Sequence, residues 1–77
     1  MHYGDKVIIG KETRVEDIYG KEILLRHEAR ARNVYGETIR IESGCRIDGE
    51  VKYTRELRID EHVRLEKSPQ KVDKLPL

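Results

Sequence analysis

The segment VIIGKETRVEDIYGKE (7–22) runs directly into ILLRHEARARNVYGET (23–38), then IRIESGCRIDGEVKYTRE (39–56) and LRIDEHVRLEKSPQKV (57–72). These four units, of 16, 16, 18 and 16 residues, open alike. Each begins with an apolar-x-apolar pair: Val7 and Ile9, Ile23 and Leu25, Ile39 and Ile41, Leu57 and Ile59. A second pair follows: Thr13 and Val15, Ala29 and Ala31, Cys45 and Ile47, Val63 and Leu65. A lone apolar residue comes third, at Ile18, Val34 and Val51, and the fourth unit drops it at Lys67-Ser68-Pro69. Within each pair the period is two, that of a β-strand, and the bends between pairs carry Gly10, Gly20, Gly36, Gly44 and Gly49.

A parallel β-helix places residue i beside residue i+16 four times running. Each unit is then one rung, equivalent positions stack about 4.8 Å apart, and inward columns fuse into a narrow core. The predicted fold is therefore all-β: one solenoid domain of about four rungs over 7–66, a lead-in or cap over 1–6, and a Pro-containing tail or cap over 67–77. The two extra residues of the third unit fall between Asp48 and Thr54, where a bend can bulge outward. A small antiparallel barrel or sandwich competes, because short strands about eight residues apart and the Asp48-Gly49 turn also suit hairpins. A barrel gives no reason for four units to keep one phase.

Composition agrees. The 77 residues hold 8 Ile and 6 Val against 6 Leu and 2 Ala, a β-branched bias suited to sheet. Charged residues make up 40%, with 16 Lys+Arg balancing 15 Asp+Glu at a net charge of +1, so bulk attraction to nucleic acid or anionic lipid is not expected. A chain this short is a poor host for an enclosed cleft, and no metal spacing, phosphate-binding glycine loop or nucleophile elbow occurs in it. The expectation is a non-enzyme without a cofactor or metal. Cys45 cannot form an internal disulfide and reads as a small buried hydrophobe. With apolar runs of at most three residues and no signal-peptide pattern, a cytoplasmic protein is expected.

The eighth unit position is arginine throughout, at Arg14, Arg30, Arg46 and Arg64. Lying between two inward residues, these side chains point outward, either as a ladder neutralised by Glu12, Glu16, Glu28, Asp48 and Glu66 or as an anion-binding stripe. Tyr19, Tyr35 and Tyr53 form a second recurrence, two of them in a Tyr-Gly corner, and are expected to pack with their hydroxyls in water. His27 and His62 fall two rungs apart and cannot share a metal.

The stack ends need covering, because each presents open core and an unpaired backbone row. Tyr3 could contribute a short lid at one end. At the other, Val72, Leu75 and Leu77, bracketed by Pro69 and Pro76, either fold back over Leu57, Ile59, Val63 and Leu65 or extend into solvent. Ile8 and Leu24 share an outward position that later rungs give to Arg40 and Arg58, leaving a small apolar patch. Val7, Ile8, Ile9, Leu24, Leu57, Ile59, Val63 and Leu65 are thus the expected self-association residues.

The rhythm of Val7-Ile8-Ile9-Gly10, of residues 39–51 from Ile39-Arg40-Ile41 to Gly49-Glu50-Val51, and of Leu57-Arg58-Ile59 resembles the bactofilins, polymer-forming cytoskeletal proteins of bacteria and some archaea. The resemblance spans roughly 7–66. It implies a compact right-handed β-helix with short tails that assembles end to end, without nucleotide, into non-polar filaments. This chain departs from that family in having about four rungs and heavily charged faces, so a dimer or trimer joined through the rung ends is the companion expectation. Its partner is then another copy of itself, with a membrane or protein cargo reached through the tails. A binding module for an anionic polymer, using the four arginines, is the alternative; nucleic acid is the less favoured polymer. A left-handed hexapeptide acyltransferase relative is suggested by the six-residue spacing of Ile9 to Val15 and Ile41 to Ile47. Rungs of 16 rather than 18, and the lack of a catalytic histidine on an extended loop, count against it.

Overall fold

A computed structural model describes residues 2 to 75 and arranges them as two parallel sheets that share one core. The strands are β1 (His2–Ile9), β2 (Asp17–Leu25), β3 (Arg30–Ala31), β4 (Asn33–Ile41), β5 (Arg46–Ile47), β6 (Val51–Ile59), β7 (Arg64–Leu65) and β8 (Gln70–Lys71). The larger sheet has the order β1-β2-β4-β6-β8 and the smaller the order β3-β5-β7, so the chain alternates between sheets and returns one strand further along each time. Every pairing is parallel. The fold is a parallel β-solenoid of about four turns, and the antiparallel barrel is excluded.

The sixteen-residue spacing is the register itself. Val7 pairs with Ile23, Ile23 with Ile39, and Ile39 with Leu57. On the smaller sheet Ala31 pairs with Ile47 and Ile47 with Leu65. The residues at these inward positions close the interior: Ile18, Leu25, Val34, Ile39, Ile41 and Ile47 have no exposed surface. Their burial is the main stabilising term, since each rung alone would leave its apolar side in water. Midway along β2 the alternation breaks at Lys21 and Glu22, two consecutive exposed residues, and the strand turns a corner. Gly20 and Gly36 permit that corner: a Cβ at Gly20 would lie 2.7 Å from the Gly4 carbonyl oxygen, and one at Gly36 would lie 2.8 Å from Ile23 Cδ1.

Several expectations change in detail. Strand pairing extends beyond 7–66 at both ends, because β1 begins at His2, paired with Ile18, and β8 lies beside Lys52 and Tyr53. Over residues 70–72 the tail lies along β6, with the Val72 N–H donating to the Tyr53 carbonyl at 2.8 Å. It starts a fifth strand, and one residue back along that register Pro69, half-buried, takes the place after Val51 that the fourth unit was expected to leave empty. Pro76 and Leu77 of the expected tail cap, Met1 and the Tyr3 side chain lie outside the described residues. Thr13 is exposed, since its inward column has a neighbour on one side only at the end of the stack.

The two extra residues of the third unit separate. The offset between partners is 16 at Ala31 and Ile47 but 17 at Val34 and Val51, which places the first extra residue at 48–50. The second is a bulge where Gly36 faces Tyr53 and Thr38 faces Glu56. Tyr53 therefore leaves the tyrosine column and packs against the core, while Tyr35 pairs with Lys52.

Candidate functional site

Three surfaces gather the polar and apolar groups that the sequence singled out. The first is the arginine row. Arg14 is the backbone partner of Arg30, Arg30 of Arg46, and Arg46 of Arg64. The short strands β3, β5 and β7, and at Arg14 a single bridge, set these four side chains between inward positions and turn them outward. Only Arg46 is held: its Nε donates to Asp48 Oδ1 at 2.9 Å, and its Nη2 lies 3.9 Å from Glu66 Oε1. Among the described residues, Arg14, Arg30 and Arg64 have no carboxylate oxygen within 4.0 Å. The balanced neutralisation expected from the flanking acids is therefore confined to the third rung. Between the first two rungs the surface dips into a cleft of about 160 Å³ lined by Arg14, Val15, Glu16, Arg30, Arg32 and Asp48, with Ala31 beneath. Arg32 faces Asp17, whose Oδ2 lies 3.4 Å from its Nη2.

The second surface is the corner after the smaller sheet, where Asp17 and Asn33 occupy equivalent positions. Asn33 Nδ2 donates to Asp17 Oδ1 at 2.9 Å, and Asn33 Oδ1 accepts the Glu50 backbone N–H at 2.8 Å. One side chain thus pins three rungs together. The Asn33 amide, with Arg32 beside it, holds the Asp17 carboxyl below its usual range. Gly49 closes this bracket, donating its N–H to the Arg32 carbonyl at 2.6 Å, and it has no room for a Cβ against Asn33 Oδ1 and the Arg32 carbonyl oxygen. Next to it Tyr19 and Tyr35 stack with ring centroids 5.0 Å apart, and the Tyr35 hydroxyl donates to Glu50 Oε2 at 3.1 Å. The hydroxyl is therefore engaged by protein rather than left in water, and burial together with that carboxylate pushes its pKa up to about 12. The signal for the bracket was present in the sequence as two short polar residues 16 apart, Asp17 and Asn33.

The third surface is the carboxyl-terminal end of the stack. Leu57, Val63 and Leu65 are half-buried and Ile59 is 39% exposed, although their partners one rung in, Ile39, Ile41, Cys45 and Ile47, are closed to solvent. An open hollow of about 450 Å³ lies beside Ile59 and is lined by Ser43, Asp60 and Glu61. At the amino-terminal end Val7 and Ile9 are buried, but Ile8 points outward at 54% exposure with Leu24 beside it. The eight expected self-association residues thus fall into a carboxyl-end group, an outward pair and two core members of the first rung.

Other candidate groups carry less. Cys45 is buried, its thiol donates to the Arg26 carbonyl at 2.9 Å, and desolvation raises its pKa, so it is an unreactive member of the core. His27 Nδ1 lies 2.9 Å from Ser43 Oγ, and its Nε2 lies 3.8 Å from Glu42 Oε1, which also faces Arg26. Among the described residues no three His, Cys, Asp or Glu side chains converge as a metal site, and no helix is long and apolar enough to cross a membrane. Comparison with family models, curated proteins and solved structures returned no match for this chain. The four-turn parallel solenoid is of the same general class as the bactofilin β-helix.

Proposed function

We propose that this chain is a non-enzymatic structural or scaffolding module that associates with copies of itself through the ends of its solenoid, in the manner of a short bactofilin-like polymer or a discrete oligomer. The observation that carries this reading is the contrast across one rung: the side chains of three columns are sealed at Ile39, Ile41 and Ile47 and half-open or open at Leu57, Ile59 and Leu65. A second molecule laid on that end would complete the core as an additional rung does. It would also satisfy the free backbone row of β6 beyond the part covered by β8. A reducing, cytoplasmic setting suits Cys45, which has no partner for a disulfide among the described residues.

The apolar contribution of such a contact is modest. Four half-open side chains on each copy supply about 1 kcal/mol apiece, roughly 8 kcal/mol in all, while association costs on the order of 4–15 kcal/mol. Backbone pairing must add to it, and the association is expected to depend on concentration in the micromolar range or above. Sedimentation velocity over a concentration series tests this. The sedimentation coefficient should rise with concentration, and Ile59→Lys should restore the monomer while keeping the β-sheet circular dichroism of the parent. A folded parent chain that stays monomeric at the highest concentrations would overturn the proposal.

A further inference from the structure

We propose that the cleft between the first two rungs of the smaller sheet binds a single phosphate or sulfate group, with Arg14 and Arg30 as its ligands. This goes beyond the self-association reading and does not depend on it. The sequence offers four equivalent arginines and hence a continuous stripe for a polyanion. The structure breaks that stripe: Arg46 is committed to Asp48 and Glu66, so the uncommitted pair lies at Arg14 and Arg30. These two are direct backbone partners, which brings their Cα atoms to about 4.8 Å and gives their side chains a common direction.

Two guanidinium groups carried on neighbouring rungs repel each other, and no carboxylate oxygen relieves either within 4.0 Å among the described residues. A dianionic tetrahedral group between them replaces the repulsion with charge-assisted hydrogen bonds, for which the planar guanidinium fork is well shaped. Shape agrees with charge. The cleft of about 160 Å³ admits one such group with part of its hydration shell and is too small for a folded partner. Of the lining carboxylates, Asp48 is already neutralised by Arg46, and Arg32 is already turned to Asp17. Glu16 is the one acid left to oppose an anion, so Arg14 and Arg30 against Glu16 leave the cleft with one net positive charge.

The probes are inorganic phosphate, pyrophosphate and a long polyphosphate, titrated at fixed ionic strength while the arginine Nε–H resonances are followed by NMR. The Arg14 and Arg30 signals should shift saturably with phosphate or pyrophosphate. Arg14→Gln combined with Arg30→Gln should weaken binding by about tenfold or more, Glu16→Gln should tighten it, and Arg64→Gln should leave it unchanged. These side chains are exposed, so the variants should keep the parent's circular dichroism. Shifts that chloride reproduces at equal ionic strength would overturn the site. So would equal weakening by Arg14→Gln, Arg46→Gln and Arg64→Gln, with polyphosphate far ahead of pyrophosphate, because that pattern belongs to a stripe along the whole row and not to one cleft.

Discussion

Replacing Glu28 by glycine should make this protein more stable, although it removes a side chain and adds chain entropy. Glu28 sits in the turn after the first pair of its rung with φ at +59°, in a row with Glu12 (+56°), Gly44 (+78°) and His62 (+60°). The row exists because each rung must reverse direction in two residues to deliver its second pair to the smaller sheet. An L-residue held in the left-handed region costs about 1–2 kcal/mol, and only Gly44 escapes that cost. Glycine at 28 recovers it but gives back roughly 0.4–1 kcal/mol through the more flexible unfolded chain, leaving a net gain of about 0.5–1 kcal/mol. Gly44→Ala reverses both terms. Its Cβ would also stand 3.0 Å from Glu28 Cγ, a flexible stem that yields by a small rotation, so the loss stays near 1 kcal/mol. With a urea dependence of about 1 kcal/mol per molar for a small domain, equilibrium unfolding should show the midpoint up by about 0.5–1 M for Glu28→Gly and down by about 1 M for Gly44→Ala. A lower midpoint for Glu28→Gly, or an unchanged one for Gly44→Ala, would refute the reasoning about this row.

Further outcomes follow from the same geometry. Ile39→Ala, at a sealed position, should cost about 2–5 kcal/mol of unfolding free energy, whereas Leu57→Ala, one rung further on and half-open, should cost about half as much; equal losses would mean the last rung is covered. Gly49→Ala should cost about 2–3 kcal/mol, because its Cβ meets Asn33 Oδ1 and the Arg32 carbonyl oxygen in a bracket that cannot open without losing the Glu50–Asn33 bond. Thermal melts showing less than a one-degree change would contradict that. Tyr35, raised from 10.0 to about 12 in the folded state, favours folding below its unfolded pKa and loses that contribution as pH rises through the folded value. Tyr35→Phe should therefore flatten the fall in stability between pH 10 and about 12, and an unchanged alkaline slope in urea titrations would count against the assignment.

Period was the most legible property of the sequence. Residues in a solenoid meet their equivalents in neighbouring rungs, so Val7, Ile23, Ile39 and Leu57 announce their shared row without any knowledge of the bends between them. Local exceptions were harder to read. Units counted from Val7 hid the start of the first rung, though Tyr3-Gly4 repeats the corner dipeptide of Tyr19-Gly20 and Tyr35-Gly36 sixteen residues early. Pro69 fills an apolar position that the repeat pattern leaves vacant, because proline suggests a break in a chain before it suggests an edge strand. Thr13 looked inward by position, and only the end of the stack makes it exposed.

The arginine row shows the same division. Its alignment follows from spacing, but which arginine is paired depends on side-chain reach across rungs. Asp48 lies two residues from Arg46 and binds it, while Glu16 stands in the same relation to Arg14 and does not approach within 4.0 Å. Left-handed turn residues were visible only where glycine marked them, at Gly44, and Glu12, Glu28 and His62 gave no compositional sign of their strain.

The central claim is that successive sixteen-residue units lie on one another in parallel, and nuclear Overhauser contacts between backbone protons in solution test it most directly. The account predicts short amide-to-α-proton contacts linking the Ile23 and Ile39 rows and the Arg30 and Arg46 rows, each displaced in the same sense along the chain. Close α-proton to α-proton pairs between adjacent strands, the mark of antiparallel neighbours, would contradict it.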